Sequence, residues 1–69
     1  MNLYIAYTIK REGKFRANVL KTLQSNNLVS VLDSIPDLFT ANIYPKNKAY
    51  KIAEFWNESY KSNNTYLDY

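Results

Sequence analysis

A chain of 69 residues with a formal charge of +3 and neither cysteine nor histidine is one small domain, without a disulfide framework or the usual zinc site. A protein of this size buries only about 60% of the surface its unfolded chain exposes. Its core therefore depends on large side chains, which seven tyrosines, three phenylalanines and one tryptophan supply.

The N-terminus runs from Met1 and Asn2 straight into an alternating segment, with no basic stretch followed by an apolar block. That pattern predicts a cytoplasmic protein without a leader. No segment reaches the roughly 18 apolar residues of a membrane span, so no membrane partner is expected. Two glycosylation patterns, at Asn57 and Asn63, have no consequence in such a compartment.

In residues 3 to 9, Leu3, Ile5, Tyr7 and Ile9 alternate with Tyr4, Ala6 and Thr8, the period-two signature of a strand. Residues 15 to 23 repeat it, with Phe15, Ala17, Val19 and Leu23 alternating with Arg16, Asn18, Leu20 and Thr22. The two strands are expected to form a hairpin. A two-residue loop at Glu12 and Gly13 would pair Ile9 with Arg16 and Tyr7 with Asn18, mixing apolar and polar positions. A three-residue loop, Arg11-Glu12-Gly13, pairs Ile9 with Phe15, Tyr7 with Ala17 and Ile5 with Val19, and sets Gly13 at a left-handed position. The second arrangement keeps one face apolar and is the expected one.

The next segment changes period. Leu28, Val31, Leu32 and Ile35 are spaced for a short helix, Ser25, Asn26 and Asn27 are candidate N-caps, and Pro36 disfavours helix at Ile35. Residues 38 to 44 then alternate as a third strand, with Phe39, Ala41 and Ile43 on one side and Thr40, Asn42 and Tyr44 on the other, ended by Pro45. From Pro45 to the Asn63-Asn64 pair runs the clearest element. Ala49, Ile52, Ala53, Trp56 and Tyr60 fall within about 100° of arc on a helical projection, while Tyr50 and Phe55 flank that stripe. The tail, residues 65 to 69, has three readings: an edge strand, packing of Tyr66 and Leu67 on the core, or fraying.

The predicted fold class is α+β, in the order β-β-α-β-α, with a three-stranded antiparallel sheet in strand order 2-1-3 and both helices on one face. The other face would then be open. It would carry Tyr4, Lys10, Arg16, Asn18 and Tyr44, with Lys14 and Lys21 nearby. Charge distribution draws notice to the same region, because residues 1 to 32 carry Lys10, Arg11, Lys14, Arg16 and Lys21 against Glu12 alone. Aromatics and cations on a sheet can stack single-stranded bases and meet phosphates. The same cations equally serve as a solvated edge that resists aggregation.

Catalysis has few candidates. Cysteine and histidine, the best nucleophile and the commonest general base, are missing, and one glycine cannot form a glycine-rich phosphate loop. Glu54 and Glu58 share a helix face, but beside Lys51 and Lys61 they read as a solvated surface rather than a metal pair. Asp33 and Asp37 flank Ile35-Pro36, where aspartate stabilises turns. The chain is therefore expected to be no enzyme and to hold no cofactor.

Phe55, Trp56, Asn57 and Tyr60, followed by Thr65, Tyr66 and Leu67, resemble a phrase found in short, functionally uncharacterised proteins of low-GC Gram-positive bacteria and their mobile elements. There too a hairpin precedes a helix with a Phe-Trp-Asn phrase and a Thr-Tyr-Leu tail. The resemblance implies no activity. A hairpin followed by a strand and an amphipathic helix is also similar to HicB-type antitoxins, although the helix from Leu28 to Ile35 departs from that pattern.

The functional expectation is a small binding module acting through protein contacts, including self-association as a homodimer. The alternative is nucleic-acid binding on the open face. Two strand edges are available for pairing with another chain, Lys14 to Gln24 and Leu38 to Tyr44. Cations make the first less inviting, so the second is the better candidate.

Overall fold

The computed structural model describes residues 1–68; Tyr69, the last residue of the predicted tail segment, lies outside the described residues. The element order is β1 (Asn2–Arg11), β2 (Lys14–Leu23), α1 (Leu28–Asp33), β3 (Leu38–Tyr44) and α2 (Lys46–Ser62). The sheet has the order β2-β1-β3, antiparallel on both sides of β1. The α+β class, the element order and the strand order are those expected.

The hairpin register is different. Arg11 faces Lys14, Ile9 faces Arg16, Tyr7 faces Asn18 and Ile5 faces Leu20, so the loop has two residues, Glu12 and Gly13, rather than three. Both have positive φ, 53° and 77°. Those values are the signature of a type I′ turn, whose twist matches that of the flanking strands. The expected pairs of Ile9 with Phe15, Tyr7 with Ala17 and Ile5 with Val19 are not formed, because local turn twist outweighs matching apolar residues across the hairpin.

β1 is buried on both faces. Ile5 and Ile9 are buried on one, Ala6 and Thr8 on the other. Each face needs its own cover, and the helices divide the task instead of sharing one side. α2 covers the Ala6–Thr8 face, with Tyr50 against Tyr4 at ring centroids 6.4 Å apart, Tyr60 stacked on Phe15 at 5.2 Å, and the Tyr60 hydroxyl 3.2 Å from Thr8 Oγ1. α1 lies over the other face, where Leu28 and Leu32 border Ile5, Ala41 and Ile43. The expectation of both helices on one face fails because it counted Tyr4, Ala6 and Thr8 as open.

Between its aromatic ends, α2 meets the sheet through small residues. Ala49 and Ala53 are buried over a floor that includes Ala6, Thr8 and Ala17. With alanine at four of these five positions and the short side chain of Thr8 at the fifth, the helix approaches the strands closely. Tyr50 and Phe55, the flanking aromatics, are both exposed, Phe55 the more so at 71%. Pro45 occupies the N-cap position, and Asn64 at φ 58° turns the chain out of the helix.

α1 is a single short helix capped by Asn27, whose Oδ1 accepts from the backbone N–H groups of Val29 and Ser30. Its return to the sheet is held by the Lys10 N–H donating to the Asp37 carbonyl at 3.0 Å, and by Arg11 Nε donating to Asp37 Oδ2 at 2.8 Å. The second contact is exposed and contributes little by charge. A register shift in β3 opposite Thr8 and Ile9 leaves Phe39 as an extra residue, the mark of a β-bulge.

Candidate interaction surface

The predicted open face does not exist as one surface. Register places Tyr4, Lys10 and Tyr44 on the α2 side, and Arg16 and Asn18 with Ile9 and Tyr7 on the α1 side. Tyr4 is half-buried against Tyr50. Lys10 Nζ lies 5.6 Å from the Phe15 ring centroid and 5.4 Å from that of Phe39. Lys48 Nζ lies 5.9 Å from the ring of Tyr44. Arg16 sits 5.3 Å from the Tyr66 ring, which Lys61 approaches at 4.8 Å. Asn18 borders a shallow cleft with Tyr7, Ile9, Arg11, Ile35 and Pro36. Lys14 flanks the turn, and Lys21, opposite Tyr4, is exposed on β2.

The two sheet edges have different fates. In an antiparallel sheet, successive residues direct their N–H and C=O groups alternately to one neighbour and then the other. On β2, the outward groups of Phe15 meet the tail: its N–H donates to the Thr65 carbonyl at 2.7 Å, and its carbonyl accepts from the Leu67 N–H at 2.8 Å. The outward groups of Ala17 meet Asn57, whose Oδ1 accepts from the Ala17 N–H at 2.7 Å and whose Nδ2 donates to the Ala17 carbonyl at 2.8 Å. A side-chain amide thus replaces one residue of a missing strand. Of the three readings of the tail, a one-residue parallel bridge between Tyr66 and Phe15 is the one formed among the described residues, with Tyr66 and Leu67 half-buried.

The same alternation assigns the groups of β3. Since Lys10 bonds toward Asp37, the even residues of β1 face β3, and their partners Thr40, Asn42 and Tyr44 bond inward. Ala41 and Ile43 therefore direct their N–H and C=O groups to the outside of the sheet. No other element lies along that edge among the described residues. The strand contains no charged residue, and Ile43 is 51% exposed. Beside it, Ile5, Leu28, Leu32, Ala41, Asn42 and Ile43 line an open cleft of about 250 Å³ between α1 and the sheet.

The structural role of Asn57 is not legible in the sequence, where it stands in a glycosylation pattern and in the Phe-Trp-Asn phrase. Its signal was its place one turn after Ala53, on the buried arc, where a polar residue needs a partner. Among the described residues no group of three or more potential metal ligands converges, and Glu58 lies 3.7 Å from Lys61. Among the described residues no helix is long and apolar enough to cross a membrane. Comparison with known proteins finds no matching family model, no matching curated protein and no matching solved structure.

Proposed function

We propose that this chain is a non-catalytic interaction module that works through protein contacts at the β3 edge. The observation that carries the reading is the contrast between the two edges: β2 is closed by Asn57 and the tail, whereas β3 leaves Ala41 and Ile43 unpaired beside an apolar cleft. Unpaired strand groups bind another strand by main-chain hydrogen bonds, and an adjoining pocket selects its side chains. Proteins ordinarily blunt such an edge with charge or proline. β3 has neither from Leu38 to Tyr44.

The nucleic-acid alternative asks for aromatics and cations on one exposed face, and the register divides them between two. The readings are separated by solution mass measured over a range of protein concentration, with and without a short single-stranded oligonucleotide, at low and high salt. Mass that rises with protein concentration and resists salt supports protein contacts. A mass that stays at one chain and rises only with oligonucleotide, falling steeply with ionic strength, overturns the reading, since phosphate contacts release counterions.

A further inference from the structure

We infer that the occupant of the β3 edge is a second copy of this chain, paired antiparallel through β3 about a two-fold axis at Asn42, giving one continuous six-stranded sheet. The inference rests on the protein-contact reading above and names its partner.

Register follows from the backbone. The bulge at Phe39 spoils the start of β3, so the regular ladder runs from Thr40 to Tyr44, and its midpoint is Asn42. Antiparallel pairing about that residue sets Ala41 opposite Ile43 of the second copy, and Ile43 opposite its Ala41. These are the residues whose N–H and C=O groups face outward, so each pair exchanges two hydrogen bonds. A centre at Ala41 would instead place bulged Phe39 opposite Ile43. Pairing about Asn42 avoids that mismatch.

Side chains agree with the backbone. Ala41 and Ile43 lie on the α1 side of the sheet, so Ile43 of the second copy lands over the small Ala41 and beside the cleft walled by Leu28 and Leu32. Charge does not oppose the pairing: β3 itself carries none, and Asp37 at its start is already paired with Arg11. Two-fold closure leaves each β2 edge at the outside of the sheet, where Asn57 and the tail already cover part of it.

An edge contact of this size belongs with weak, reversible interfaces, so association should be sought up to about 1 mM protein. The absence of cysteine permits a direct test of register. Residues paired on the axis at a non-hydrogen-bonded position have Cα atoms about 4.5 Å apart, within the range of about 4.4 to 6.8 Å that a disulfide spans. Asn42 is exposed, as is Lys21 on the opposite edge. Under mild oxidation Asn42→Cys should yield a covalent dimer, and Lys21→Cys should not. Ile43→Lys, at a half-exposed position that keeps the fold by circular dichroism, should weaken association at least about tenfold. A mass of one chain throughout the concentration range overturns the inference. So does a dimer that Ile43→Lys leaves intact and Asn42→Cys fails to capture, although that result leaves the protein-contact reading standing on another surface. Salt-sensitive oligonucleotide binding by a strict monomer removes both.

Discussion

Asn57 shows how much one polar side chain can decide in a chain this small. Its carboxamide makes two hydrogen bonds to the backbone of Ala17, a residue that is 2% exposed. Asn57→Ala leaves that N–H and carbonyl without partners in a part-buried site, which costs about 1 to 3 kcal/mol. In a domain of this length the thermal midpoint should fall by about 4 to 8 °C for each kcal/mol, as a circular dichroism melt would show. Asn57→Asp keeps the acceptor but replaces the donor with a second carboxylate oxygen facing the Ala17 carbonyl, so it should not rescue. A melt unchanged in both variants would remove Asn57 from the account. Turn residues offer an opposite pair of effects. Glu12 holds φ 53° with a β-carbon that disfavours it, so Glu12→Asn should stabilise by about 0.5 to 1 kcal/mol. Gly13 has open space where a β-carbon would stand, yet its φ of 77° penalises any branched side chain. Gly13→Val should therefore weaken the hairpin through the backbone alone. Equal melts for the three proteins would contradict the turn.

At the scale of elements, the interface between α2 and the sheet is made close by alanine and held at its ends by aromatic rings. Ala49 is fully buried and Ala53 is 6% exposed. Ala53→Leu must push the helix away from the strands or strain its rotamer, an overpacking cost of about 1 to 3 kcal/mol. Phe55, about 200° round the helix from Ala53 and largely solvated, should tolerate Phe55→Ala within about 0.5 kcal/mol. Urea melts of the two variants test the orientation of the helix directly: the reverse order of effects would mean that α2 presents another face. Both facts were available in part from spacing. The stripe from Ala49 to Tyr60 was legible because helical periodicity is local. The matching floor of Ala6, Thr8 and Ala17 was not, because small residues alternating with Ile5, Tyr7 and Ile9 read as the solvent side of a strand until the helix is placed over them.

For the whole molecule, the two sheet edges differ in cover: Asn57 and the tail close part of β2, and β3 is open among the described residues. Thr65 and Leu67 close the backbone of Phe15, whose ring is also stacked on Tyr60. Removing residues 65–69 should uncover that edge and lower the thermal midpoint by several degrees, since each lost hydrogen bond contributes about 0.5 to 1.5 kcal/mol. Irreversible aggregation on heating, read by light scattering, should rise relative to the full chain. A shortened chain that melts and scatters like the original would show that the tail bridge carries no weight. The β3 edge works in the opposite sense, as an unblocked strand with a pocket beside it. The reversible contact proposed there would add buried surface that a single 69-residue chain lacks.

Sequence alone determined the strands, the helices and their order, because each rests on local periodicity, caps and prolines: Pro36 and Pro45 bound the third strand, and Asn27 caps the short helix. Strand order followed from those elements by the rules for connecting them. It also pointed to the Leu38–Tyr44 edge, since the absence of charge can be read directly. Tertiary structure decided the rest. A one-residue change in loop length moves every side chain of β2 to the other face, and choosing between two and three residues depended on turn twist against apolar matching. That single choice separated Tyr4 from Arg16, sent α1 and α2 to opposite sides, and replaced an expected open face with an open edge. Parity is a local property, but which parity faces which helix is settled only when the helices dock.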